Sequence, residues 1–236
     1  MRYFSISEVL DRAWELTKRH GIIVVLLYIL IKIGLSFVGN VFSPPVDVDA
    51  ITSAVERGDY TAMLSTYYSN PFGTIIMWIL GIIVMLGFTK SLLLLAKEEA
   101  TSIEFSTWSQ PVKVYVNYTI VTMIVNILCG FGYVCCIIPG LFLSGRLMLA
   151  PYYVLDHPDC DILEPITKSW EMTSGNSANL MLFILVQIFL IIVGFICCCV
   201  GVFVTAVICE FAELEAYLVL SGYYDNKPEE EAAIVE

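Results

Sequence analysis

Four charged side chains fall inside apolar stretches where charge is costly: Lys32, Arg146, Glu210 and Glu213. A charged residue at membrane depth costs about 2.5–3.5 kcal/mol on insertion scales, so each is a functional candidate by default. Two cations and two carboxylates at similar depth suggest two chemistries. One is a proton-coupled site. The other is a site for an anionic group, since Arg pairs with phosphate through two parallel hydrogen bonds. A structural reading stands beside both, in which the four make ion pairs that set helix register. The polar residues Asn126 and Gln187 lie at comparable depth and join the candidate set.

The eight cysteines invite a metal or disulfide reading. The pairs are adjacent, Cys135-Cys136 and Cys197-Cys198-Cys199, with no Cys-x-x-Cys. Both histidines, His20 and His157, lie in the segments assigned below to the cytoplasmic side. This disfavours a zinc site, and no metal or other cofactor is expected. The cysteines read as small buried residues that allow helices to pack closely. No Gly-rich phosphate loop, Gly-x-Ser-x-Gly elbow or His-Glu-x-x-His motif is present, so an enzymatic role is not expected.

The elements that must position these residues follow from composition. The chain has 236 residues, of which 58% are hydrophobic and 15% charged, with a mean hydropathy of +0.80. Soluble domains hold about 45–50% apolar and about 25% charged residues. The chain is therefore neither a soluble globular enzyme nor disordered. A net charge of −11 excludes a nucleic-acid partner. A membrane-crossing helix needs about 20 apolar residues. Six spans are predicted: 21–42, 72–96, 115–136, 139–155, 177–197 and 200–222. Pro139-Gly140 divides one long block, and Gly194 and Gly201 flank the break in another. By rise per residue, Lys32, Arg146 and Glu210 all fall in the middle third of a core about 30 Å thick.

Basic residues orient the chain. Arg2, Arg12, Lys18, Arg19, Lys97, Lys113, Lys168 and Lys227 all fall on one side, and Arg57 alone on the other. Both termini are predicted cytoplasmic. The first block is too long for a signal-peptide core, so no processing is expected. Lys90 lies near the cytoplasmic end of its span and is read as reaching back to the headgroups.

An internal repeat organises the whole. Trp14, Trp108 and Trp170 each stand seven residues before a span start. Ile6, Glu8, Trp14, Glu15 and Thr17 recur 156 residues later, and Trp108, Gly132, Cys135 and Cys136 recur 62 residues later. Ser5-x-x-Glu8, Thr101-x-x-Glu104 and Asp161-x-x-Glu164 each resemble a capping box. The unit reads as an amphipathic cytoplasmic helix with Trp at headgroup depth, then a helical hairpin. The units are about 5–99, 101–156 and 161–224, with an external loop at 43–71 that contains a short helical stretch near Asp49. The expected fold is therefore all-α and integral to the membrane: six transmembrane helices as three hairpins, each preceded by a cytoplasmic amphipathic helix. Residues 1–225 form one membrane domain, and 226–236 an acidic cytoplasmic tail.

Ile138-Pro139-Gly140, Arg146, Ala150-Pro151-Tyr152, Ser169-Trp170-Glu171 and Gly175-Asn176 carry a family resemblance. The stretch 130–190 is similar to an uncharacterised family of bacterial six-span membrane proteins related to the membrane domain of glycerophosphoryl diester phosphodiesterases. The resemblance implies the bacterial cytoplasmic membrane and work near phospholipids. The phosphodiesterase barrel, typically about 250 residues, has no room in this chain, so its activity is not carried over. Three functions remain open: engagement of phospholipid or an anionic solute in envelope maintenance; a small transporter or channel using the mid-membrane charges; and a scaffold for a membrane-protein partner.

Overall fold

The computed structural model describes residues 4–42, 48–61, 71–100, 103, 105–196 and 199–226. Among them there is no strand. The helices are α1 Ile6–Phe42, α2 Val48–Glu56, α3 Pro71–Ala96, α4 Val112–Cys135, α5 Ile137–Leu147, α6 Ala150–Asp156, α7 Glu164–Met172, α8 Ser177–Ile196 and α9 Cys199–Ser221. Five stretches are long and apolar enough to cross a membrane: Ile6–Gly39, Ile75–Ala96, Val112–Cys135, Ile137–Asp156 and Ser177–Ile196. That is the pattern of a multi-pass membrane protein. α9 is of similar length, but Glu210, Glu213 and Glu215 set it apart from these five.

Two compact units divide the chain, residues 1–26 with 86–236, and residues 27–85. The smaller unit holds the later part of α1, α2 and the first part of α3. Within it α1 and α3 run close, because a Cβ on Gly39 would lie 3.5 Å from the Met77 methyl. α2 ends as expected for its sequence, with Gly58 in the left-handed region at φ +65° and Asp59 N–H closing back on the Ala54 carbonyl at 2.9 Å. The outer ends of the 43–71 loop, the Thr101–Glu104 box, the Cys197-Cys198 pair and the tail from Lys227 lie outside the described residues.

In the larger unit the C-terminal half of α9 is enclosed. Val207, Phe211, Ala212, Leu214, Ala216, Tyr217 and Leu218 are fully buried. α8 is the opposite case: Leu182, Leu185, Ile188, Phe189, Ile192, Phe195 and Ile196 are all exposed. A water-soluble chain does not present such a continuous apolar face; in lipid it is the expected exterior.

Glycines set the closest helix approaches. A Cβ on Gly132 of α4 would meet Gly140 Cα of α5 at 3.0 Å, and one on Gly194 of α8 would meet the Gly201 carbonyl of α9 at 2.9 Å. Gly132 and Gly194 are the pair that the 62-residue offset relates. The break between α4 and α5 falls at Cys136, in extended backbone, three residues before the expected turn. Pro139 is tolerated within the first turn of α5, where its missing N–H would have had no partner.

Three local expectations are corrected. The amphipathic stretch of the first repeat is not a separate helix, since α1 runs unbroken into its apolar half. Its capping box does not close either: Glu8 accepts instead from Arg12 Nη2 at 2.7 Å, an exposed pair one turn along. The third box is half formed, with Asp161 N–H donating to Glu164 Oε2 at 3.4 Å. Glu164 also accepts the Tyr153 hydroxyl at 2.8 Å, and this bond first, then the Asp161 N–H, holds its carboxyl below the usual carboxylate range.

The N-terminal stretch is docked, not free. Phe4 is fully buried with its ring edge-on to Phe183 at 5.6 Å. Its N–H donates to Asn176 Oδ1 at 3.2 Å, and its carbonyl accepts from Asn179 Nδ2 at 3.1 Å. Gly175, at φ +86°, makes the sharp turn that presents Asn176 between α7 and α8.

Candidate functional site

The residues quoted for the resemblance converge on the α5–α8 region, and two polar groups are built there. The first centres on α9. Glu213 Oε2 accepts the Tyr152 hydroxyl of α6 at 2.7 Å, and Glu213 Oε1 accepts Gln187 Nε2 of α8 at 3.3 Å. Gln187 Nε2 also reaches the Cys209 carbonyl at 3.5 Å, and Cys209 Sγ points at the Gln187 carbonyl at 4.0 Å. Glu210 stands one turn from Glu213, and Tyr118 of α4 lies within electrostatic reach of both. Two carboxylates, two phenols and a carboxamide thus meet among four helices. Glu213 accepts one phenol and one carboxamide donor from two other helices.

Interhelical hydrogen bonds in membrane proteins are worth about 0.6 kcal/mol on average and about 1.7 at most. The Tyr152–Glu213 bond is short and half-buried, which favours the upper half of that range. Tyr152→Phe, Glu213→Gln and the double variant are expected to give a coupling of about 1 kcal/mol in an unfolding titration. A coupling below about 0.3 kcal/mol would mean that the bond does not join α6 to α9.

The second group centres on Arg146, at the end of α5. Its guanidinium carbon lies 4.3 Å from the centroid of the Trp170 ring, a cation–π arrangement. Trp170 in turn meets Phe142 edge-on at 6.0 Å. The Arg146 carbonyl accepts Ser169 Oγ at 2.8 Å and Thr173 Oγ1 at 3.3 Å. Ser169 of α7 and Thr173 just past its end stand four apart with Trp170 beside them, so the last turn of this helix holds both the backbone and the head of Arg146. Arg146 is 6% exposed, and its buried Nε has no hydrogen-bond partner. Among the described residues its guanidinium forms no ion pair.

Of the four residues expected to form one cluster, Lys32, Arg146, Glu210 and Glu213, the larger unit holds three, and in it Arg146 makes no ion pair with Glu210 or Glu213 among the described residues. Arg146 is held on Trp170 and not on the carboxylates. Lys32 belongs to the other unit, where its side chain is exposed and its Nζ lies 5.2 Å from the Tyr28 ring. Gln187, one of the candidates, is a hydrogen-bond partner of Glu213. Asn126 is not; it is exposed on α4.

The three anchors also differ. Trp14 is 50% exposed and Trp170 42%. Trp108 is instead half-buried against α3, where a Cβ on Gly87 would sit 2.8 Å from its ring, and its carbonyl accepts the Tyr115 hydroxyl. Lys90 does not reach outward: its Nζ donates to the Leu155 carbonyl at 2.6 Å, at the end of α6.

Cys129, Cys135, Cys136, Cys160 and Cys209 are free thiols, with Cys135 and Cys136 exposed. No group of three or more His, Cys, Asp or Glu among the described residues could hold a metal. Sequence reasoning missed Tyr118, Ser169 and Thr173 as site residues and gave Tyr152 no role. The one available signal was the i, i+4 spacing of Ser169 and Thr173 around a tryptophan.

Compared with known proteins, the chain matches no family model, no curated protein and no solved structure.

Proposed function

We propose that this chain is a non-enzymatic protein of the bacterial cytoplasmic membrane that engages phospholipid or an anionic solute in envelope maintenance. One observation carries the reading. Arg146 is almost fully buried, stacked on a half-exposed tryptophan, and has no carboxylate beside it among the described residues. A buried charge is ordinarily paired. A guanidinium held in this way favours a partner that comes from outside the chain, and an anion is the fitting one.

The same reading takes the topology further. α9 serves as a sixth span, its carboxylates turned toward α6 and α8. The six spans form three hairpins as repeated units, each led by a cytoplasmic helix or turn bearing Trp14, Trp108 or Trp170, with both termini cytoplasmic. The recurrence of close glycine contacts at Gly132 and Gly194 supports the repeat, and the basic residues before each unit support the orientation. The bacterial membrane rests on the resemblance of residues 130–190.

A second reading, a small transporter, is favoured by the proton-capable group at Glu210 and Glu213. Native mass spectrometry of the full chain, released gently from its own membrane, separates the two. Retained phospholipid or a small anion is the expected result. A bare monomer, together with proton-dependent flux that Glu213→Gln abolishes, would overturn the first reading in favour of the second. A stoichiometric protein partner would assign the chain to a scaffold role.

A further inference from the structure

We infer that the anion taken by Arg146 is a phosphate group, gripped by the guanidinium fork on the side the Trp170 ring does not take. This rests on the reading just proposed and narrows its ligand.

Three observations lead there. First, Arg146 Nε is buried without a hydrogen-bond partner, and the guanidinium makes no ion pair among the described residues. A buried charged donor left without an acceptor is strongly unfavourable, so an oxyanion drawn into the fork brings a large differential gain. Second, the guanidinium carbon lies over the Trp170 ring, 4.3 Å from its centroid. A ligand is left the side the ring does not take, and there two parallel N–H bonds match two oxygens on one centre. Third, the site is held in advance. Ser169 and Thr173 tie the Arg146 carbonyl to α7 on either side of Trp170, so little ordering cost remains when the anion arrives.

Phosphate is favoured over carboxylate by surroundings. Trp170 of the amphipathic helix α7 and Leu163 just before its start are 42% and 67% exposed. A tryptophan so placed marks the headgroup layer, which sets Arg146 nearer that layer than the mid-depth read from its place in the span, and the abundant anion there is a phosphodiester. These exposed apolar side chains then have the glycerol and upper acyl chain as neighbours. The phosphate comes from a lipid headgroup or from free phosphate in solution; the chemistry at the fork is shared.

The test uses the full chain in a neutral detergent, with native mass spectrometry and phosphorus NMR as readouts. Three probes are added separately: a short-chain phosphatidylglycerol, inorganic phosphate and decanoate. The expected result is one phosphatidylglycerol per chain, with affinity lowered at least about tenfold in Arg146→Gln. Arg146→Lys is expected to fall nearly as far, because an ammonium offers no fork. Trp170→Leu keeps apolar volume and removes the ring; it is expected to weaken binding several-fold, and it carries the test if Arg146→Gln does not fold. Binding of inorganic phosphate without the lipid, lost in the same variants, supports the phosphate site and assigns its source to solution. Decanoate bound as tightly as either phosphate would overturn the inference. So would lipid retained equally by wild type and both Arg146 variants, a result that leaves the broader lipid-engaging reading standing. No ligand of any kind would remove both.

Discussion

Asp156→Ala is expected to destabilise the protein by about 3–5 kcal/mol, the usual cost of breaking a buried pair from one side. Asp156 ends α6 and receives two donors from far along the chain. Lys97 Nζ bonds Oδ1, with the two side chains only 11% and 19% exposed, and the hydroxyl of fully buried Tyr217 donates to Oδ2 at 2.9 Å. Lys97 also lies over the Tyr223 ring at 5.3 Å, and the Tyr223 hydroxyl donates to the Lys97 carbonyl at 2.8 Å. Alanine would leave an ammonium enclosed without its counter-charge and a phenol without an acceptor. Because some solvent reaches the pair, the lower half of the range is favoured. Removing both partners, as in Lys97→Met with Asp156→Ala, is expected to recover part of the loss, since a well-packed apolar replacement avoids the enclosed charge. Unfolding in a denaturing-detergent titration reads both. A loss under about 1 kcal/mol for Asp156→Ala would mean that the pair behaves as a surface pair.

The second large effect is expected at Gly201. An alanine there would place its Cβ 2.5 Å from the Gly194 carbonyl oxygen, which is backbone and has no rotamer to yield. The approach is reciprocal, for a Cβ on Gly194 would meet Thr205 Oγ1 at 2.3 Å. α8 and α9 must separate to admit a methyl group. Overpacking of this kind costs about 1–3 kcal/mol, occasionally more, and the upper end applies because the backbone itself must shift. Moving α9 also moves Glu213 away from Gln187, so Gly201→Ala should erode the coupling measured at Tyr152. Gly130→Ala is the internal control. No atom lies within 4 Å of its added Cβ, and replacing a helix-interior glycine gains up to about 1 kcal/mol. Equal unfolding midpoints for the two variants would remove the argument that the α8–α9 contact depends on the missing Cβ.

Both cases show how far reading along the chain reaches. Gly194 and Gly201 were legible as flanking a helix break, because glycine beside a turn between apolar blocks is a local signal. Their mutual contact was not. Asp156 carries no signal along the chain, since its donors Lys97 and Tyr217 are 59 and 61 residues away. Gln187 was found because a carboxamide in an apolar block is conspicuous, and it does bond Glu213. Asn126 was conspicuous for the same reason but faces outward. Depth along a helix gives no angle around it when the apolar pattern runs all the way round, as it does along α4.

What the amino-acid sequence by itself determined was the one-dimensional part: an all-helical chain, apolar blocks long enough for several spans, near-correct ends for α3, α8 and α9, and the polar residues that interrupt them. These follow from the transfer cost of each residue and from the length of a helix that crosses the hydrocarbon, and both are sums along the chain. The tertiary structure alone decided that Arg146 rests on Trp170, that Tyr152 and Gln187 hold Glu213, that Asn176 and Asn179 seize the backbone of Phe4, and that Lys90 turns inward to Leu155. Each of these needs two elements brought within about 3–5 Å by packing, a short-range condition that spacing along the chain does not encode.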